Sequence, residues 1–77
     1  MDWIKVTPET MPKRFEEVMA TVEIDDAGRK RREFRPVVRW IRDDLGWEEY
    51  EAIEGVAWWP VIGEVTHWMR YPEPAED

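Results

Sequence analysis

The sequence predicts a small, mainly β domain built on a single antiparallel sheet with little helix, an α+β arrangement being the alternative. Two observations carry this. Val18, Ala20, Val22 and Ile24 alternate with Met19, Thr21 and Glu23 at the period of two that marks a strand with one wet side. A second alternating stretch runs through Phe34, Pro36, Val38 and Trp40, and the turn signal Asp25-Asp26-Ala27-Gly28 joins the two as a hairpin. A chain of 77 residues without cysteine has no disulfide to hold it, so its core depends on large apolar side chains. The six tryptophans, with the β-branched residues, are expected to supply that core.

Taken in order, Trp3-Ile4-Lys5-Val6 reads as a short opening strand of good strand formers. Pro8 and Pro12 then forbid a regular element, which leaves a fixed loop with room for one helical turn. The first long strand spans Phe15 to Asp25 and the returning one Arg31 to Arg42. Pro36 lacks a ladder donor, which places it on an edge or at a bulge. Asp43-Asp44-Leu45-Gly46 is a second turn. Trp47 to Ile53 reads as a short strand or an irregular segment, Gly55 to Gly63 as a structured loop, and Glu64 to Tyr71 as the last strand. Residues 1–72 form one domain, and 73–77 an acidic C-terminal tail. No apolar run approaches the roughly 18–20 residues of a membrane span, and Met1-Asp2-Trp3 does not begin a secretory leader. A cytoplasmic protein with no membrane partner is the expectation.

Charge is unevenly spread. Residues 1–42 hold ten Lys/Arg against eight Asp/Glu, and residues 43–77 one against ten, within a formal net charge of −7. Arg29, Lys30, Arg31, Arg32, Arg35, Arg39 and Arg42 crowd the hairpin arm, where charge protects strand edges and pairs with nearby acids. An acidic domain of this kind is an unfavourable partner for nucleic acid.

Catalytic equipment is sparse. There is no serine and no cysteine, His67 is the single histidine, and the glycines at 28, 46, 55 and 63 form no phosphate-cradling loop. The carboxylates at 48, 49, 51 and 54 lie close in sequence, but 18 acids in a chain this short make such neighbours common by chance. No catalytic, cofactor-binding or metal-ligating residue is assigned, and no enzyme activity or cofactor is expected. His67 reads as a hydrogen-bonded structural group facing away from Thr66 and Trp68.

Two stretches carry a family resemblance. The opening Trp3-Ile4-x-Val6, followed by Pro12 and the strand at Val18-Met19-Ala20, resembles the start of the domain of unknown function 551 family. The closing Thr66-His67-Trp68-Met69-x-x-Pro72-Glu73-Pro74 resembles that family's terminal motif, with Arg70 and Tyr71 where the family often has proline and leucine. The resemblance spans the chain but is specific at its two ends. It implies a small protein of the kind found in bacteriophages, prophages and bacteria, with no established activity or functional residues. Trp3, Ile4, Val6, Pro12, Thr66, His67, Trp68, Met69, Pro72 and Pro74 therefore enter as motif positions with structural roles.

The resulting expectation is a phage- or prophage-type accessory protein acting as a non-catalytic protein-binding module. Trp47, Trp58 and Trp59 are the candidate binding surface, because tryptophan is enriched where recognition energy concentrates. Its partner is another protein, with a homo-oligomer also possible. One alternative is an acidic mimic of nucleic acid that occupies a host factor; another is a small enzyme or metal protein using His67.

Overall fold

The computed structural model describes residues 2–53 and 55–75. They contain six strands: β1 (Ile4–Lys5), β2 (Val18–Asp26), β3 (Arg29–Arg42), β4 (Gly46–Ile53), β5 (Val56–Pro60) and β6 (Glu64–Met69). One antiparallel sheet joins them in the order β1-β6-β2-β3-β4-β5. The domain is mainly β, with no helix among the described residues. None of these elements is a helix long and apolar enough to cross a membrane.

The β2–β3 hairpin turns on two residues, Ala27 (φ 54°) and Gly28 (φ 85°), between the paired Asp26 and Arg29. Positive φ at both central positions is the turn whose twist matches flanking strands, and the Asp25 carboxylate accepts the Gly28 N–H at 3.1 Å. Pro36 sits at a bulge, where the register slips between Val18↔Val38 and Ala20↔Arg35. A second slip, between Thr21↔His67 and Val22↔Val65, brings Val65 and Trp68 onto one face despite their spacing of three.

The sheet is curled, and chain length shows why. β5 and β6 stand four places apart in the sheet, about 19 Å if it were flat at the usual strand spacing. Only Val61, Ile62 and Gly63 connect them, a reach of about 14 Å at most. Bulges that bend and twist the strands supply the curl. Gly63 (φ 113°) is where the link presses on β2, since an added Cβ would lie 2.7 Å from the Glu23 carbonyl oxygen.

Register and alternation sort the side chains. The inner face carries the core, with Val18, Ala20, Val22, Val38, Val65 and Trp68 buried and Ile4, Val6, Ile24, Trp47 and Val61 packed against them. The outer face carries Thr21, Phe34, Arg39, Tyr50, Trp58 and His67. The surface, 5985 Å², is roughly a fifth larger than the ~5,000 Å² expected for a compact chain of this mass. Both faces of a single curled sheet remain partly open.

That openness corrects the expected tryptophan core. Trp68 is buried, whereas Trp40, Trp47, Trp58 and Trp59 are half-buried and Trp3 is 41% exposed. One layer of strands has too little interior for six indoles, so small valines and Ala20 fill the tight positions. The two chain ends do meet: Ile4 pairs with Trp68 and Lys5 with His67. Residues 55–63, expected as a loop, contain β5.

Candidate functional site

The β4–β5 hairpin presents aromatic rings on both faces of the sheet. Val61 donates its N–H to the Trp47 carbonyl at 3.0 Å, which makes Trp47 and Val61 a hydrogen-bonded pair. Antiparallel ladders alternate such pairs with non-bonded ones. Pro60, opposite Glu48, is therefore at a non-bonded position, where its missing N–H costs nothing. Trp58, opposite Tyr50, is non-bonded as well, so its N–H and C=O face away from β4. Side chains approach most closely at such positions, and the Tyr50 and Trp58 rings meet edge to face at 5.5 Å.

On the outer face the Arg39 guanidinium lies 3.9 Å over the Trp58 ring and 5.4 Å from the Phe15 ring, while bonding Glu48 at 2.8 Å. Phe15 itself holds a left-handed backbone (φ 64°), unusual for an aromatic residue, and is half exposed. On the inner side, Trp59 donates its indole N–H to the Glu51 carbonyl at 2.9 Å. There Glu49, Glu51, Trp59, Pro60 and Ile62 line a hollow of about 360 Å³. Ile62 is 76% exposed, the most open large apolar side chain described.

Of the three indoles predicted as a surface, the structure brings Trp58 and Trp59 together on one strand, facing opposite ways. Trp47 is instead packed against the core, opposite Trp40. Tyr50, Arg39, Phe15 and Ile62 were absent from the predicted surface. The exposure of Ile62 follows from β5 ending at Pro60, which leaves a three-residue link inside a stretch read as one loop; the others depend on register.

The motif positions are placed structurally. Trp68 donates its indole N–H to the Thr10 carbonyl at 2.7 Å, and Arg70 lies 4.9 Å over its ring while bonding Glu16 at 2.9 Å. Pro12 and Met69 are buried, Ile4 and Val6 half-buried, and Pro72 and Pro74 exposed. Trp3 meets Phe34 edge to face at 6.3 Å. The Thr66 hydroxyl lies 2.9 Å from His67 Nδ1, and His67 is half-buried. Tyr71, at the second departure from the motif, donates its hydroxyl to the Pro36 carbonyl at the bulge.

The charged residues largely answer one another. Lys30 and Arg32 approach Glu23, Arg31 and Arg35 approach Glu33, and Arg35 also bonds Glu49 at 2.9 Å. The hydrogen bond from Arg35 holds the Glu33 carboxyl below the ordinary carboxylate range and keeps the Arg35 guanidinium more firmly protonated. Glu48 and Glu49 point to opposite faces, each against its own arginine, so these carboxylates do not build one acidic face. Among the described residues no three His, Asp or Glu side chains come close enough together to hold a metal ion.

Residues 2–76 match the family model described as Protein of unknown function (DUF551), and the chain belongs to that family. No curated protein and no solved structure matches the chain.

Proposed function

Starting from membership of a family without an assigned activity, we propose that this chain is a non-catalytic protein-binding module, of the accessory kind that phages and prophages carry, working in the host cytoplasm. The phage setting and the location rest on the resemblance and the composition. The binding role rests on one observation: Ile62 stands out in solvent beside Trp59 and Pro60, on the three-residue link between β5 and β6. An exposed aliphatic group on a short, constrained link, bordered by indole and proline, is an anchor for a partner's apolar side chain. Tyr50, Trp58 and Arg39 on the other face belong to the residue types that dominate recognition energy.

The acidic-mimic reading is weaker, because Glu48, Glu49 and Asp44 are already engaged by Arg39, Arg35 and Arg42. An enzyme using His67 is weaker too, since the ring faces the Thr66 hydroxyl and gathers no carboxylate pair among the described residues. The test is paired affinity capture from the native host with the wild-type chain and with Ile62→Asp. The expected result is a protein retained by the first and released by the second, with both baits unfolding at the same urea midpoint. Identical captures from two folded baits overturn the proposal.

A further inference from the structure

Resting on that reading, we infer that the free edge of β5 docks an extended, Lys- or Arg-bearing segment of another protein as a seventh antiparallel strand. β5 is the last strand of the sheet and, among the described residues, pairs only with β4. The alternation fixed by the Val61–Trp47 bond aims the Trp58 N–H, the Trp58 C=O and the Pro60 C=O outward, a donor and two acceptors set for an incoming backbone.

The exposed length of the β3 edge is guarded, and β1, at the other end of the sheet, is a strand of two residues. Beyond its last pairing with β4, at Val38, the β3 edge carries Arg29, Lys30, Arg31 and Arg32. Charge at this density discourages strand addition. β5 reads Val-Ala-Trp-Trp-Pro and holds no charge at all. An uncharged edge flanked by two indoles is what a sheet keeps open for a partner.

Charge then selects the occupant. Glu51 borders the hollow beside Trp59, is exposed, and has no ion pair among the described residues. Residues 43–69 contain no Lys or Arg, so a second copy docking by this hairpin brings no cation to Glu51 and adds carboxylates of its own. A basic segment of a different protein satisfies both features: its backbone extends the sheet, an apolar side chain enters the hollow, and a cation two residues along, on the same face, meets Glu51.

The test uses nitrogen-15-labelled full chain at low salt and two capped decapeptides, one repeating valine-threonine-lysine-threonine and one repeating valine-threonine-glutamate-threonine, so that the valine and the charge share one face. The lysine peptide is expected to shift the Trp58 amide and Trp59 indole resonances and to slow exchange of the Trp58 amide. Its binding should be about fourfold tighter than that of the glutamate peptide, because Glu51, one strand in from the edge, attracts one charge and repels the other across roughly 10 Å. Glu51→Lys, an exposed change, should invert the order, which loss of folding cannot mimic. A Trp58 amide unmoved by either peptide, or an order unchanged in Glu51→Lys, overturns the inference. So does a Trp58 amide protected without peptide in a protein that sediments as a dimer. A partner released by Ile62→Asp, combined with an unresponsive Trp58 amide, removes edge docking and leaves the binding-module reading standing.

Discussion

Trp68 and Thr10, 58 residues apart, are joined by the indole N–H of one and the backbone carbonyl of the other. The bond works because Thr10 is itself fixed. Its hydroxyl donates to the Lys5 carbonyl at 2.6 Å, and its side-chain oxygen accepts the Thr7 N–H at 2.9 Å. The loop between β1 and β2 is thereby strapped to the one buried indole of the core, and β6, which carries that indole, is held between β1 and β2.

Trp68→Phe removes the donor and part of the ring. The half-buried Thr10 carbonyl then loses its partner, at a cost of about 1–3 kcal/mol, and the smaller ring leaves a void beside Val18 and Val65. An overall loss of about 2–4 kcal/mol is expected, read as a lower urea midpoint at unchanged slope. Trp3→Phe, at an exposed position, should cost under about 1 kcal/mol. Equal losses in the two variants contradict the assignment of Trp68 as the central strap.

Gly63→Ala and Gly28→Ala make a matched pair, since both glycines have positive φ. At Gly28 an added Cβ meets nothing within 4 Å, so only backbone strain of about 1 kcal/mol is expected. At Gly63 the methyl group falls 2.7 Å from the Glu23 carbonyl oxygen and 2.8 Å from Val22 Cγ1. The link must then lift off β2, and the loss should exceed about 2 kcal/mol. Thermal midpoints of the two variants decide it; a milder effect at Gly63 contradicts the tight closure of the sheet.

The long hairpin was legible in the sequence because alternation and turn chemistry agree there. Val18, Ala20 and Val22 share a face as their spacing says, and Ala27-Gly28 turns as Asp-x-Gly sequences do. Pro36 announced its bulge through the donor it lacks. The shared face of Val65 and Trp68 was not legible, since a bulge shifts the alternation by one residue and depends on the partner strand. β5 was missed for a related reason: Trp58-Trp59-Pro60 shows no polar alternation, because both sides of an edge hairpin carry indoles. The candidate surface was half visible. Composition singled out the tryptophans, but strand order decided that Trp47 turns inward and that Trp58 and Trp59 part company. Arg39 and Phe15 joined Trp58 only through the register of β3 with β4.

Arg39 should be sensitive even to a conservative change. Its guanidinium stacks on Trp58, lies near Phe15 and bonds Glu48 with both Nε and Nη2. Lysine retains the charge but neither the planar stack nor the two-pronged bond. Arg39→Lys is expected to cost about 1 kcal/mol and Arg39→Ala about 2 kcal/mol. A double-mutant cycle with Trp58→Ala should return a coupling of at least about 0.5 kcal/mol. Additive losses mean that the stack contributes nothing to stability.

Two titrations contribute to the pH dependence of the fold, one in acid and one in alkali. Glu33 has its folded pKa lowered from 4.5, first by the hydrogen bond from Arg35 and then by the Arg35 and Arg31 charges, against the opposing effect of desolvation. A lowered folded value means that the unfolded chain takes up the proton more readily. The contribution of Glu33 is therefore present above pH 4.5 and lost as pH falls through the lower folded value. Tyr71 is the opposite case: burial, and then the nearby Glu17 charge, raises its pKa above 10.0. The fold prefers the neutral phenol, so that contribution is present below pH 10.0 and lost as pH rises through the raised value. Urea midpoints from pH 2 to 12 for wild type, Glu33→Gln and Tyr71→Phe separate the two ends (about the widest range a midpoint series can use). Glu33→Gln should flatten only the acid limb and Tyr71→Phe only the alkaline one. An acid limb that keeps its slope in Glu33→Gln places the proton uptake on other carboxylates and removes the Arg35–Glu33 bond from the account of acid stability.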